Sequence, residues 1–276
     1  MRRLFVLSLL AACSDYGFFG KKSSEEGGSA STGDGGSSSD DTGLPTQDTG
    51  DGGDTGEIEV PVADAPVYAN TGTELYEIDP ATGAYTLLGA FHDDNGAVSS
   101  MVDLAIDLDG HMVGANFDFL YLIDPTNAAV TALCEVDLVM YALTFTDDGT
   151  LVAGAGDEVV AYDIEGCRSS PIVSGTGYET SGDLVGLPDG FLYWTVKGDG
   201  QDGLVQVDPR NGAAVWLGDV GSSDLFGLGY DADQLYGFGK GGEIVRISPE
   251  SGSGEVLQTA PVAWYGAATN PVVWGE

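Results

Sequence analysis

Residues 75–89 read LYEIDPATGAYTLLG. Leu75-Tyr76-Glu77-Ile78 and Tyr85-Thr86-Leu87-Leu88 alternate in the manner of half-buried pleated strands. Between them, Asp79-Pro80-Ala81-Thr82-Gly83 is turn chemistry. Asp79 can accept from backbone amides two or three residues on, Pro80 presets the first corner and Gly83 supplies a positive φ. Glu77 and Asp79 therefore pose a question: a carboxylate site, or the corner of a hairpin.

Recurrence favours the corner. The pattern returns as LYLIDPTNAAVTAL from Leu120, VVAYDIEGCRSSPIV from Val159, LVQVDPRNGAAVWLG from Leu204 and IVRISPESGSGEVLQ from Ile244. The marker falls at Asp79, Asp124, Asp163, Asp208 and Ser248, at intervals of 45, 39, 45 and 40 residues. A period near forty is the mark of blade repeats. Ser248 can bond to a turn but carries no charge, so the recurring role is hydrogen bonding.

A second hairpin precedes four of these copies: DLAIDLDGHMVGAN from Asp103, ALTFTDDGTLVAGA from Ala142, DLVGLPDGFLYWTV from Asp183 and GLGYDADQLYGFG from Gly227. Asp-Gly at three of the tips is a strong hairpin signal. Four strands per repeat make a propeller blade. The N-terminal copy begins only at PVYANTG and lacks its first strand, while AWYGAATNP after the last copy is a spare one. Closure follows: Tyr265–Thr269 becomes the inner strand of the blade built from Val67–Leu88, which removes two exposed sheet edges. The expected fold is all-β, a five-bladed propeller of four-stranded blades over residues 65–276. No helical periodicity interrupts it.

This pattern resembles the broad family of bacterial β-propeller repeats that includes YVTN-type and quinoprotein-type blades. The resemblance spans Pro66–Val273 and rests on the apolar-x-apolar-Asp-Pro-x-Thr-Gly hairpin. It implies architecture. Quinoprotein blades usually close with a Trp, and only Trp216 lies nearby, so pyrroloquinoline quinone is not implied.

Propeller ligands usually sit at the channel mouth. Aligning the inner strands puts Leu104, Leu143, Leu184, Leu228 and Ala267 in one row and Asp103, Ala142, Asp183, Gly227 and Gly266 in the other, expected to face the axis. Asp103 and Asp183 are the carboxylates of that row. They are candidates for a shared Ca²⁺ or an acid/base pair, against the plainer role of bonding strand amides. Tyr141, Phe226, Trp264 and Tyr265 cluster at the same strand starts. They form a stacking platform for a sugar or peptide, or inter-blade core. His92 in FHDDNG and His111 lack a paired nucleophile at recognisable spacing. GFGKGG around Lys240 does not lead into a helix, so it is no phosphate loop. No zinc or dinucleotide motif is present.

The chain opens MRRLFVLSLLAACSDYG: two Arg, a short apolar run and small residues before Cys13. This is a secretory signal pattern, and Leu10-Ala11-Ala12-Cys13 resembles the lipobox of bacterial lipoproteins. The resemblance implies removal of residues 1–12 and acylation of Cys13. Ser14 is compatible with outer-membrane sorting, and the periplasmic or surface side stays open. Residues 13–64 are rich in Gly, Ser, Asp and Thr and offer little to bury, so a disordered, self-repelling acidic tether is expected. DTGDGGDTG lacks the closing Glu of a calcium loop.

Acidic residues number 44 against 9 basic, a net charge of −35, and from Pro66 onward the balance is 32 to 5. Such a field repels phosphate backbones and excludes nucleic acid as a partner. Cys134 and Cys167 remain once Cys13 is set aside. An exported compartment permits a disulfide between them, but the repeat places them near opposite ends of neighbouring blades, whereas a bridge needs Cα atoms within about 7 Å, so two unreactive thiols are the favoured of the two readings. The functional expectation is a membrane-anchored binding or scaffold module for an envelope protein or glycan. The alternative is a Ca²⁺-assisted hydrolase or lyase at Asp103 and Asp183.

Overall fold

The computed structural model describes residues 61–274; Cys13, the signal and nearly all of the tether lie outside them. The opening stretch forms β2 and β3 of a sheet made of β1 (Val67–Asn70), β2 (Glu74–Asp79) and β3 (Ala84–Ala90). FHDDNG and the residue after it contribute a two-rung hairpin, β4 (His92–Asp93) and β5 (Gly96–Ala97). The next blade is β6 (Asp103–Ile106), β7 (Met112–Ala115), β8 (Phe119–Ile123) and β9 (Val130–Glu135). The third is β10 (Ala142–Phe145), β11 (Leu151–Ala155), β12 (Glu158–Asp163) and β13 (Arg168–Val173). The fourth is β14 (Thr180–Gly186), β15 (Leu192–Lys197), β16 (Asp202–Val207) and β17 (Ala214–Asp219). The fifth is β18 (Leu225–Asp231), β19 (Gln234–Gly239), β20 (Glu243–Ile247) and β21 (Gly254–Thr259).

The last strand, β22 (Gly266–Thr269), returns to the first sheet, whose order is β22-β1-β2-β3. Val67 lies opposite Thr269 and Ala69 opposite Ala267. The expected closure is therefore present, and all five blades are four-stranded antiparallel sheets.

The marker residues do what a turn requires. Asp79 accepts from the amides of Ala81 (3.0 Å) and Thr82 (3.4 Å), and Gly83 donates back to the Asp79 carbonyl at φ +72°. Asp124, Asp163 and Asp208 each accept from the amide two residues on, and Ser248 Oγ accepts from Ser251. Four places after the marker the backbone is left-handed every time: Gly83, Ala128, Cys167, Gly212 and Gly252. A bulge between the third and fourth strands also recurs at one position, after Leu75, Leu120, Val159, Leu204 and Ile244. It increases the local twist.

Inter-blade seams hold the core. Leu104, Leu184, Leu228 and Ala267 each pack against the preceding blade. Trp194 and Trp264 are fully buried in two of the seams.

The twist also sets each β2–β3-type turn on the outer strand of the blade before it. Gln258 of β21 donates to the carbonyl of Gly83. Gly89 of β3 lies so close to Asn127 that a Cβ there would overlap its carbonyl. Cys134 occupies the position in β9 that Gly89 occupies in β3, opposite Leu120 and Leu75 respectively. Cys167 is the left-handed residue of the next blade's turn. The two cysteines therefore meet as a disulfide, Cα to Cα 6.1 Å, 33 residues apart in the chain. This corrects the expectation of two separate thiols. Strand ends counted along flat blades look remote, but twist brings a turn over its neighbour's edge.

Ala63 is already buried against the propeller. Ala63 donates to the carbonyl of Gly110, at the β6–β7 turn, and Asn270 Nδ2 holds the carbonyls of Ala63 and Ala65. The polypeptide thus joins the propeller at the end bearing the β6–β7-type turns.

Candidate functional site

Inner strands of a propeller expose one edge toward the axis, and each unpaired amide there needs an acceptor. Asp103 and Asp183 supply it. Asp103 Oδ2 accepts from Leu143 N of the following blade (2.5 Å) and Oδ1 from Ala267 N of the preceding one (3.1 Å). Asp183 accepts from Leu228 N of its own following blade and from Leu184 N (2.6 Å). The two carboxyl groups lie close enough to influence each other's charge. They are 1% and 0% exposed. A Cβ at Gly266, in the same row, would overlap Asp103, so glycine there lets the carboxyl approach β22.

Of the row expected to face the axis, Asp103 and Asp183 reach across the ring to neighbouring inner strands, while Ala142 packs in the cluster it shares with the fourth blade. Burial pushes both groups above the ordinary carboxylate range; Asp103's charge raises Asp183 further, while Asp183 restrains Asp103. Two buried like charges cannot both ionise cheaply, so the pair holds its protons above the ordinary carboxylate range.

The pair converges as a metal or acid–base site requires, but it is sealed. Its oxygens are engaged by backbone amides, whereas Ca²⁺ wants six to eight oxygen ligands. Among the described residues no three His, Cys, Asp or Glu side chains cluster to complete such a set.

A cavity of about 1170 Å³ is lined by residues next to the pair in the chain. Its lining includes Val102 and Gly182, the residues that precede the buried pair in the chain, and its walls come from the β1–β2-type turns around Gly72, Gly156 and Gly200. Tyr141 and Tyr265 line it at 44% and 39% exposure, with Phe226 partly buried. Phe226 and Tyr265 lean together at 6.2 Å between ring centroids. Trp264 is elsewhere: it is core, with Tyr76, Tyr85 and Phe238 packed edge-on around it. Sequence reasoning missed Phe117, 52% exposed on the β7–β8 turn and also in the wall. An aromatic in the polar stretch Asn116-Phe117-Asp118 was the available signal.

Charged groups complete the mouth. Glu179 pairs with Lys197, both largely exposed. Asp202 accepts from Leu225 N (2.8 Å) and is raised by burial. Asp224 stands in the wall at φ +56°, and Lys240 places its ammonium 5.7 Å from the centroid of the Phe226 ring. Neither histidine lines the cavity; His111 is engaged by Asp107 at 3.1 Å and His92 faces the Ala90 carbonyl at 2.9 Å.

Fold and site together define a class: a five-bladed β-propeller with its axis stapled shut and an aromatic mouth at one end. No family model and no curated protein matches the chain. Among solved structures, a chain from the crystal structure of a nidogen/laminin complex is similar, with a TM-score of 0.51 and 13% identity, over 75% of this chain and 98% of that one. At that identity the likeness carries the architecture alone.

Proposed function

We propose that this protein is a lipid-anchored binding module of the bacterial cell envelope, outer-membrane sorted, whose blades are of the YVTN/quinoprotein-like type and whose ligand sits in the aromatic mouth. One relationship carries the reading. The chain joins the propeller beside Gly110, at the β6–β7 turn, whereas the mouth is built from the strand connections at the other end of the blades. The described residues that lead in from the N-terminal side thus leave the mouth uncovered. The half-exposed rings of Phe117, Tyr141 and Tyr265 give the mouth the wet aromatic character typical of recognition surfaces. The sealed carboxyl pair supports a binding role over a catalytic one, since a substrate has no path to it. The nidogen/laminin complex supplies an instance of a similar chain found with a protein partner.

The test joins anchor to mouth. In cells, Cys13→Ser is expected to move the protein from the membrane to the soluble fraction. A photo-crosslinking residue at Tyr141 or Tyr265 is expected to give covalent adducts to an envelope component, and the same residue at Val215 on β17 is not. Sedimentation of Cys13→Ser with membranes overturns the anchor, and adducts absent from both mouth positions overturn the binding site. Protease treatment of intact cells then assigns the side.

A further inference from the structure

The mouth combines four aromatic rings with an excess of carboxylates. Phe117, Tyr141, Phe226 and Tyr265 come from four different blades. Glu179, Asp202 and Asp224 line the wall, and Asp118, Asp157 and Asp199 adjoin the lining residues Phe117, Gly156 and Gly200 in the sequence. Against them stand Lys197, already paired with Glu179, and Lys240. Lys240 is informative, because its ammonium rests against a ring of the mouth and occupies the kind of seat a foreign cation would use. A ring face attracts a cation through its quadrupole, and nearby carboxylates add to that attraction. The surrounding domain, with 32 acidic and 5 basic residues from Pro66 onward, steers cations inward and anions away. A volume of about 1170 Å³ exceeds the usual range for a single small metabolite and admits several residues of a peptide.

We infer that the mouth receives a lysine- or arginine-bearing segment of a partner protein, its cationic side chains seated on the rings of Phe226, Tyr265 and Tyr141 between Glu179 and Asp224. This rests on the reading of the mouth as the binding site. The segment would lie across the cavity and not reach the carboxyl pair, which is buried and does not line it. Neutral glycans use aromatic faces and can donate hydroxyls to carboxylates, but they gain nothing from the net charge that a cationic side chain would meet.

The test uses the full chain and fluorescein-labelled peptides of alternating Gly and Lys, alternating Gly and Arg, and alternating Gly and Glu, with a hexamer of N-acetylglucosamine as the neutral probe. Anisotropy is read at physiological salt, because low salt exaggerates surface attraction. The basic peptides are expected to bind and the acidic one not to. Phe226→Ala combined with Tyr265→Ala is expected to weaken basic-peptide binding by about tenfold or more, and Glu179→Gln combined with Asp224→Asn by a similar factor. Glu165→Gln combined with Glu250→Gln, the same charge change at the opposite end, is expected to alter it less than about twofold. Each variant is compared at matched thermal stability; where Ala lowers it, Leu at both ring positions keeps the bulk and removes the ring. Equal losses from the two charge pairs, or indifference to the rings, overturn the inference in favour of bulk attraction. Binding of the hexasaccharide that depends on Phe226 and Tyr265, without basic-peptide binding, overturns the cationic occupant but leaves the mouth as the site. No ring-dependent binding of any probe, together with no crosslinks at Tyr141 or Tyr265, overturns both.

Discussion

Asp103 and Asp183 meet at the propeller axis from the second and fourth blades, and each also accepts an amide from the blade that follows its own. Four inner-edge amides, those of Leu143, Ala267, Leu184 and Leu228, end on these two side chains. The pair therefore ties together the inner strands of all the blades, counting those on which the two residues stand. Asp103→Ala removes the acceptor of two buried amides at once and leaves Asp183 without its partner. It should cost about 3–5 kcal/mol, read as a lowered urea midpoint. Asp103→Asn keeps one acceptor oxygen and the same volume and should cost markedly less. Equal midpoints for Asp103→Ala and the wild type would remove the staple.

The same pair makes stability depend on pH. Burial raises the folded-state value of Asp103 to about 8 and raises Asp183 as well, while an unfolded Asp titrates near ~4. Between those values the folded state binds more protons than the unfolded one, so stability falls as pH rises. The contribution is complete below about pH 4 and is lost as pH passes through 8. Surface carboxylates bonded in the native state, Asp93 and Asp208, are lowered and act in the opposite sense, below about pH 4. The wild type should therefore lose stability from pH 6 to about pH 9, and Asp103→Asn combined with Asp183→Asn should flatten that slope. A slope unchanged by the double substitution assigns it to other groups.

The disulfide locks one seam of five. Closing a loop of 33 residues stabilises by about 3–4 kcal/mol in the chain-entropy account. Reductant should lower the wild-type midpoint by a comparable amount and leave Cys134→Ser unaffected. Cys167 stands at φ +51°, where three other copies place Gly. In the Cys134→Ser background, Cys167→Gly should therefore raise stability by roughly 0.5–1 kcal/mol. A further loss would show that Cys167 packs there for more than its bond.

Much of this architecture was legible because it repeats. The blade count, the four strands and the C-terminal closure follow from period, turn chemistry and one missing strand, all local signals. The pairing of Asp103 with Asp183 could be placed in one axial row but not judged open or sealed, because that depends on how narrowly five inner strands converge. Trp264 and Tyr265 are adjacent in sequence yet split between core and mouth, since neighbouring side chains on an extended backbone point to opposite sides. Sequence offers no parity for Trp264 before the register of β22 on β1 is known. The cysteines were misplaced for a three-dimensional reason, the twist that lays one blade's turn across the next blade's edge.

The opening stretch yields its own prediction. Asp79 bonds to the amides of Ala81 and Thr82 and to the Thr82 hydroxyl, all exposed. Ser248 performs the equivalent bond in the fifth blade. Asp79→Ser should thus change stability by less than about 0.5 kcal/mol, and Asp79→Ala should cost about 0.5–1.5 kcal/mol. Neither should affect peptide binding at the mouth. Loss of binding on Asp79→Ser would return a functional charge to the turn.

Closure of the ring sets the sharpest expectation. β22 pairs along the whole of β1, fills the seam with Ala267 and Ala268, and delivers the Ala267 amide to Asp103. A chain ending at Pro261 lacks that strand and also Trp264, the largest side chain of its seam. It exposes the edge of β1 and leaves Asp103 half satisfied, so the loss exceeds the stability of an ordinary domain, about 5–15 kcal/mol. The truncated chain should be aggregated or rapidly cleaved under native conditions. Gly266→Val is the subtler version, since its side chain would overlap both Asp103 and Asn70. Supplying residues 262–276 as a separate peptide should partly restore a protease-resistant propeller, because strand addition returns the same hydrogen bonds and core residues. A truncated chain that resists protease as the wild type does, with no peptide added, would show that the ring holds without its closing strand.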